Sequence, residues 1–398
     1  MRWKKLLITR LWLVDGLQRD GAEDIVVVKK AKYYNMKVLI GGGGTGGHVF
    51  PAIAIAQALR RIDPQMDILF VGAKDKIEME KVPAAGFNII GLPAAGLQRK
   101  KFFKNLSLPF KLLTCMIKSR KIIKDFKPDI AVGVGGYASG PILRAAAKQG
   151  VPIVLQEQNS HAGVTNQILA KKASKIFTAY DGMEKYFDKD KIFFAGNPVR
   201  SDIAEISATR DEALAHFELS PDKPVVLSVG GSLGAGTINK SIMAHIDEFE
   251  KAGIQLIWQT GKYYYDNIMA SLAGKSYTCI HPMAFVKRMD LAYKAADVVV
   301  SRSGALSVSE LCLAAKPVIF IPSPNVAEDH QTKNAMALVN KGAAALLTDA
   351  EAEAKFFDEV SALVADDDKK KAFAANISQL AVKNSADLIA KEIVQMVK

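Results

Sequence analysis

The sequence predicts an α/β protein made of two doubly wound, parallel-sheet units facing a cleft. Three observations carry this. Short apolar runs rich in Val and Ile recur along the chain with helical stretches between them, the pattern of β-α-β units. The pattern opens twice in the same way: "KVLIGGGGTGGHV" from Lys37 and "VVLSVGGSLGAGT" from Val225 each run a strand into a bare glycine turn and then a helix. The 398 residues, 49% hydrophobic and 24% charged, suffice for two or three globular domains with ample core.

In the first half the strand-like runs are "VLIGG" from Val38, "ILFVG" from Ile68, "NIIGL" from Asn88, "IAVGVGG" from Ile130, "PIVLQEQ" from Pro152, "KIFTAY" from Lys175 and "IFFAGNP" from Ile192. After Arg200 they are "VVLSVGGS" from Val225, "IQLIWQTG" from Ile254, "YTCIHPMAF" from Tyr277, "VVVSRSG" from Val298, "PVIFIPS" from Pro317 and "AALLTD" from Ala344. Following the first turn, Val49, Ile53, Ala56 and Leu59 fall on one helical face, and Pro51 suits a first turn, where a missing N–H costs nothing. The boundary is expected at "GNPVRSD", where Pro198 stops a strand, giving units 36–198 and 199–398. Residues 1–35 show no glycine-bounded strand-helix unit. They are expected to be an extension outside the fold, an upstream mis-start ahead of Met36; the alternative is a short appended hairpin or helix. Arg10 and Asp15 interrupt this segment and no small-residue cleavage site follows, so it makes a poor signal peptide. No apolar run reaches the roughly 18 residues of a spanning helix.

Three widely spaced cysteines, Cys115, Cys279 and Cys312, argue for a reducing compartment and against a disulfide frame. The net charge of +12 is concentrated between Arg99 and Lys127, where ten basic residues face one acid, Asp125. Phe102, Phe103, Leu106, Phe110, Leu113 and Ile117 are interleaved with them. Two readings stand side by side: a segment lying on an anionic membrane surface, or a core helix with a solvated basic back. Nucleic acid is not an expected partner, because no aromatic platform or reader motif accompanies the charge.

A glycine turn at a helix N-terminus is an anion site, since the first amides have no internal partner and the macrodipole is positive there. Gly42, Gly44 and Gly47 also satisfy the dinucleotide spacing G-x-G-x-x-G. That enzyme class would need an acid closing the second strand, and Asp75 lies beyond a glycine and a lysine. His48 follows the turn directly, where the helix dipole disfavours an imidazolium and leaves a neutral ring able to accept a proton. The alternative is a first-turn residue that hydrogen-bonds the loop, with Glu157 as the rival base.

Other strand ends are polar as well: Gln156, Glu157, Gln158 and Asn159; Ser301, Arg302 and Ser303 ahead of Glu310; and Glu328, Asp329, His330 and Gln331. Glu310 is read either as a carboxylate accepting both hydroxyls of a ribose or as the far end of a Ser307-x-x-Glu310 capping box. No metal centre is expected, since the six histidines form no close pair, the cysteines form no C-x-x-C, and Asp188 and Asp190 sit in a lysine-rich stretch. There is no Gly-x-Ser-x-Gly elbow.

Taken together and in order, "GGGGTGGHVFPA", "GVGGYASGP", "QEQNSHAGVTN", "GNPVR", "GGSLGA", "RSGALSVSE" and "EDHQTKNA" resemble one family. It is that of the UDP-N-acetylglucosamine:N-acetylmuramyl-(pentapeptide) pyrophosphoryl-undecaprenol N-acetylglucosaminyltransferases, which make lipid II from lipid I in bacterial peptidoglycan synthesis. The resemblance runs from Met36 to the C-terminus. It implies a glycosyltransferase B fold: an acceptor-binding, membrane-associating first domain, a UDP-GlcNAc-binding second domain, and a last helix crossing back to the first. It implies an inverting transfer without metal or other cofactor, in which the muramyl 4-hydroxyl attacks C1 of UDP-GlcNAc and a β-1,4 bond forms.

Carried over residue by residue, the resemblance puts Thr45, Gly46, Gly47, Asn159, Arg200 and Ser232 at the donor, with Val286 near the uracil. Ala305, Leu306, Ser307, Val308, Ser309 and Glu310 form the nucleotide loop, Glu310 lies on the ribose, and Gln331 closes toward the sugar. The turns with Gly43, Gly44, Gly135, Gly136 and Tyr137 would hold the acceptor's pyrophosphate, and His48 or Glu157 would take the proton. The implied partners are UDP-GlcNAc, lipid I, other cell-wall synthesis proteins and the anionic cytoplasmic face of the bacterial inner membrane, met peripherally. A UDP-GlcNAc 2-epimerase shares the plan and the donor but should lack the basic-apolar stretch. A sugar-nucleotide binder without activity would keep Glu310 and dispense with His48.

Overall fold

The computed structural model describes residues 36–94, 108–199, 203, 206–231 and 233–397. The expected extension at 1–35, the aromatic residues Phe102 and Phe103, and the donor-site residues Arg200 and Ser232 lie outside the described residues.

Every run read as a strand forms one. The first sheet holds β1 (Lys37–Gly41), β2 (Asp67–Ala73), β3 (Asn88–Leu92), β4 (Ile130–Gly133), β5 (Ile153–Glu157), β6 (Lys175–Thr178) and β7 (Ile192–Phe194). The second holds β8 (Val225–Val229), β9 (Gln255–Gln259), β10 (Ile280–Met283), β11 (Val298–Ser301), β12 (Val318–Phe320) and β13 (Ala345–Leu346). All pairings are parallel, in the orders β3-β2-β1-β4-β5-β6-β7 and β10-β9-β8-β11-β12-β13.

The strand period of two explains why these runs are apolar throughout. Val38 and Ile40 enter one core with Val49 and Leu59 of the helix Gly46–Ile62. Leu39 between them enters another with Cys115, Ile142 and Leu143. Val225 and Leu227 likewise separate from Val226 on the second sheet. The helix Ser385–Met396 buries Ile389, Ala390, Ile393 and Val394 in the cluster of Val38 and Leu59, and Arg61 meets Asp387 at 2.7 Å, so the end of the chain covers the first sheet.

Strand order reverses between β1 and β4, and again between β8 and β11. At such switch points the loops leaving the two strands diverge, and a crevice opens at the carboxyl ends. Both glycine turns leave a switch-point strand.

The basic stretch contains the helix Leu108–Phe126. Its inner face, with Cys115, Ile122 and Ile123, is core, whereas Leu112, Leu113 and Ile117 are 55%, 60% and 59% exposed. The helix is therefore a core element whose outer face is apolar as well as basic. Among the described residues no helix is long and apolar enough to cross a membrane.

Candidate active site

The first turn is less bare than the sequence suggests. Gly42 N–H donates to Val71 O at 3.0 Å, Gly43 N–H to Gly135 O at 3.2 Å, and Gly44 N–H to a Glu78 carboxyl oxygen at 2.8 Å. The amides of Gly43 and Gly44, expected to hold an acceptor phosphate, are thus engaged inside the protein. Those of Thr45, Gly46 and Gly47 open the helix Gly46–Ile62, where position denies them an intrahelical partner.

The glycines of the second turn are needed for close approach. A Cβ on Gly136 would lie 2.1 Å from the carbonyl oxygen of Gly43, and one on Gly135 would lie 2.9 Å from Cδ2 and Nε2 of His48. Both have positive φ, +85° at Gly136 and +87° at Gly135. His48 is held from its other side, with Nδ1 3.0 Å from Thr45 Oγ1. Burial, with a smaller contribution from His330, pushes its pKa down to about 4, so the ring is neutral at pH 7. Tyr137, next in the turn, is 56% exposed.

Glu157 stands differently. It is buried, and its two oxygens accept from Asn159 N–H (3.1 Å), Asn159 Nδ2 (3.3 Å), Gly163 N–H (3.0 Å) and Asn166 Nδ2 (2.9 Å). Burial raises its pKa, and these donors oppose the rise. A carboxyl group committed to four donors, from Asn159, Gly163 and the helical Asn166, organises its own loop and ties it to the helix that follows. Gln156 and Gln158 are equally committed: Gln156 Nε2 donates to Asn197 Oδ1 (3.1 Å) and Gln158 Nε2 to Val134 O (2.9 Å). Asn197 Nδ2 then reaches Ser309 Oγ at 3.0 Å, joining the first sheet's strand ends to the helix Ala305–Ala314.

That helix begins at Ala305, with Gly304 as its N-cap at φ −63°, ψ 148°. Ser307 lies inside the helix, so the Ser307-x-x-Glu310 spacing is not a capping box. Glu310 instead accepts from Tyr293 OH at 3.2 Å. Ala305 and Val308 are buried, while Leu306, Ser307, Ser309 and Glu310 are half-buried. Val286 is buried in the second core and its N–H donates to Gln259 Oε1 at 3.0 Å. Gln331 is tied to this region twice, through Ser323 N–H to its Oε1 (2.9 Å) and Ser303 Oγ to its carbonyl (2.8 Å).

The two halves meet beside these residues. Asn334 Oδ1 accepts from Ser160 N–H and Oγ, both at 3.0 Å, and its Nδ2 donates to Asn159 Oδ1 at 3.2 Å and Ser303 O at 3.3 Å. Asn334, Asn166 and Asn197 lie inside motifs quoted from the sequence but carry roles that no spacing announced. Glu78 and Tyr293 lie outside every motif. The available signal for Glu78 was its place four residues before the buried Val82 on a short helix. Among the described residues no group of three or more His, Cys, Asp or Glu is placed to hold a metal ion.

Paired parallel sheets, with glycine turns and helix N-termini at both switch points, are the architecture of the glycosyltransferase B fold. The glycosyltransferase family 28 N-terminal domain matches residues 38–178, and the family's C-terminal domain matches residues 225–392. The chain belongs to glycosyltransferase family 28. A relative from Parabacteroides distasonis is 54% identical over 361 residues, covering 91% of this chain and 98% of its own length. One from Bacteroides thetaiotaomicron is 52% identical over 363 residues, covering 91% and 98%. Both are named UDP-N-acetylglucosamine--N-acetylmuramyl-(pentapeptide) pyrophosphoryl-undecaprenol N-acetylglucosamine transferase. Among solved structures, Acinetobacter baumannii MurG superposes with a TM-score of 0.73 at 26% identity, covering 91% of this chain and 99% of that one. A Neisseria meningitidis UDP-GlcNAc 2-epimerase bound to UDP-GlcNAc follows at 0.63 and 15% identity, covering 90% and 100%, a likeness of fold alone.

Proposed function

We infer that this chain transfers N-acetylglucosamine from UDP-GlcNAc to the 4-hydroxyl of the muramyl sugar of undecaprenyl-pyrophosphoryl-MurNAc-pentapeptide, with inversion at C1. The observation that carries the reading is agreement, over nine-tenths of the chain, with relatives bearing that name. The neutral His48 beside a helix N-terminus supplies chemistry the reaction needs.

In the proposed reaction, Nδ1–H of His48 donates to Thr45 Oγ1 and leaves the Nε2 lone pair as the proton acceptor. The muramyl oxygen gives its proton to Nε2 and bonds to C1. The C1–O bond to the diphosphate breaks, and UDP departs with the electron pair. Its charge is met by the N-terminal amides of the helix Ala305–Ala314, which stabilise an anion without reorganising. Glu310 accepts the ribose hydroxyls, and Gln331 closes on the sugar. The amides of Thr45, Gly46 and Gly47, which the resemblance put at the donor, are assigned instead, with the turn of Gly135, Gly136 and Tyr137, to the acceptor's pyrophosphate, because those of Gly43 and Gly44 are engaged inside the protein. Glu157 keeps the β5 loop in shape and is not the base. No metal or other cofactor is assigned a role.

The acceptor is a polyprenyl lipid, so the first domain must meet the cytoplasmic face of the plasma membrane. Leu113, Ile117, Arg120, Lys121 and Lys124 share the outer stripe of the helix Leu108–Phe126, apolar at one end and cationic at the other. Arg120, Lys121 and Lys124 join Lys148 around a cavity of about 470 Å³. The deciding experiment incubates purified protein with radiolabelled UDP-GlcNAc and a lipid I analogue, with and without chelator. A labelled disaccharide lipid in both arms is expected. Release of free sugar or its 2-epimer without lipid product would overturn the reading.

A further inference from the structure

We propose that Glu78 is a positioning residue for the acceptor half of the site, acting through the first glycine turn and touching no substrate. Its side chain is 1% exposed. One carboxyl oxygen accepts from Gly44 N–H at 2.8 Å, and the other accepts from Ala73 N–H at 2.8 Å. A single carboxyl group thus fastens the turn after β1 to the end of β2.

The gap it fills exists because two neighbours have no side chain. A Cβ on Gly43 would lie 2.4 Å from Cδ of Glu78, and one on Gly72 would lie 2.5 Å from its Cγ. This gives the run of glycines a second purpose beside phosphate approach: it admits a carboxyl group beneath the loop. With Gly43 N–H held by Gly135 O and Gly44 N–H held by Glu78, the next amide along is that of Thr45, the N-cap, where position provides no intrahelical partner. Glu78 therefore sets where an anion binds, one step along the turn from Gly44. It also fixes the approach of Thr45, whose hydroxyl holds His48 Nδ1.

The inference rests on the acceptor reading given above, and the test separates the two. Glu78→Gln keeps the size of the side chain but turns one acceptor into a donor facing an N–H. Steady-state rates are measured on the full chain with UDP-GlcNAc and a water-soluble lipid I analogue, alongside UDP titration calorimetry and thermal melts. We expect kcat/KM for the acceptor to fall ten- to a hundred-fold, while UDP affinity and KM for UDP-GlcNAc stay within two-fold. The acid limb of the kcat profile should also move, because the setting of His48 changes. Should Glu78→Gln fail to fold, Gly72→Ala pushes the same carboxyl group from β2 without touching the turn, and the same selective loss is expected. A folded variant with acceptor kcat/KM within two-fold of the parent, or with equal losses on both substrates, would overturn the inference. A parent enzyme that fails to use the lipid analogue would instead overturn the acceptor reading.

Discussion

Gly135→Ala is the sharpest test of the His48 assignment, because it perturbs the imidazole without removing it. Gly135 has φ +87°, where an L-residue costs roughly 1–2 kcal/mol, so a melting point lower by a few degrees is expected. The added Cβ would stand 2.9 Å from Cδ2 and Nε2 of His48, inside ordinary carbon contact, so the ring must retreat by roughly half an ångström to an ångström. Misplacing a reacting group by about 1 Å costs on the order of 10²-fold. Gly135→Ala should therefore lower kcat by about that factor, and His48→Ala by about 10²–10⁴-fold. UDP affinity by calorimetry should stay within two-fold in both. At saturating acceptor, where any effect of Gly135 on pyrophosphate binding drops out, both changes act on kcat through one ring, so the double variant should be no slower than His48→Ala alone. If the two losses multiply instead, or if a folded Gly135→Ala keeps full kcat, Nε2 is not the proton acceptor.

Glu310→Ala should weaken UDP binding by about ten- to a hundred-fold, the loss of a charge-assisted hydrogen bond, with calorimetry as the readout; unchanged affinity would remove Glu310 from the ribose. His48 has a folded pKa of about 4, below its ordinary 6.5, so between those values the unfolded chain binds more protons than the folded one. Stability is then full above about pH 6.5 and declines as pH falls toward 4; urea midpoints of the parent should drop across that window and those of His48→Gln should drop less. Replacing Leu113 and Ile117 by serine should reduce sedimentation with anionic vesicles and leave UDP affinity intact, and the parent's binding should fall with salt. Equal sedimentation of parent and variant would move the membrane surface elsewhere.

Much of the fold was legible because parallel strands buried on both faces cannot hide their composition. Val38, Leu39 and Ile40 serve two cores at once, so the run is apolar without interruption. Turns that bring backbone against backbone need glycine, which marked both crevices. What the sequence could not disclose was where polar side chains spend their hydrogen bonds. Glu157 has the composition and position of a base, yet four donors, from Asn159, Gly163 and the helical Asn166, occupy it. Ser307 and Glu310 have capping-box spacing, but spacing does not say where a helix starts, and this one starts at Ala305. Glu78 is invisible in the sequence because its partners, Gly44 and Ala73, offer only main-chain amides, which leave no trace in side-chain pattern.

The two crevices are built alike but furnished differently, and the difference bears on control of the reaction. The helix leaving the first crevice carries an imidazole in its opening turn, whereas Ala305–Ala314 opens on Ala, Leu and Ser and holds no ionisable group before Glu310. In the proposed reaction, proton transfer therefore falls to the first sheet and stabilisation of the leaving diphosphate to the second. With a pKa near 4, His48 alone is a poor acceptor for a sugar hydroxyl proton, since a general base works best near the operating pH. A diphosphate bound at the amides of Thr45, Gly46 and Gly47 would place negative charge beside the ring, favour the imidazolium and raise that pKa. In the proposed enzyme the acceptor thereby makes its own base competent.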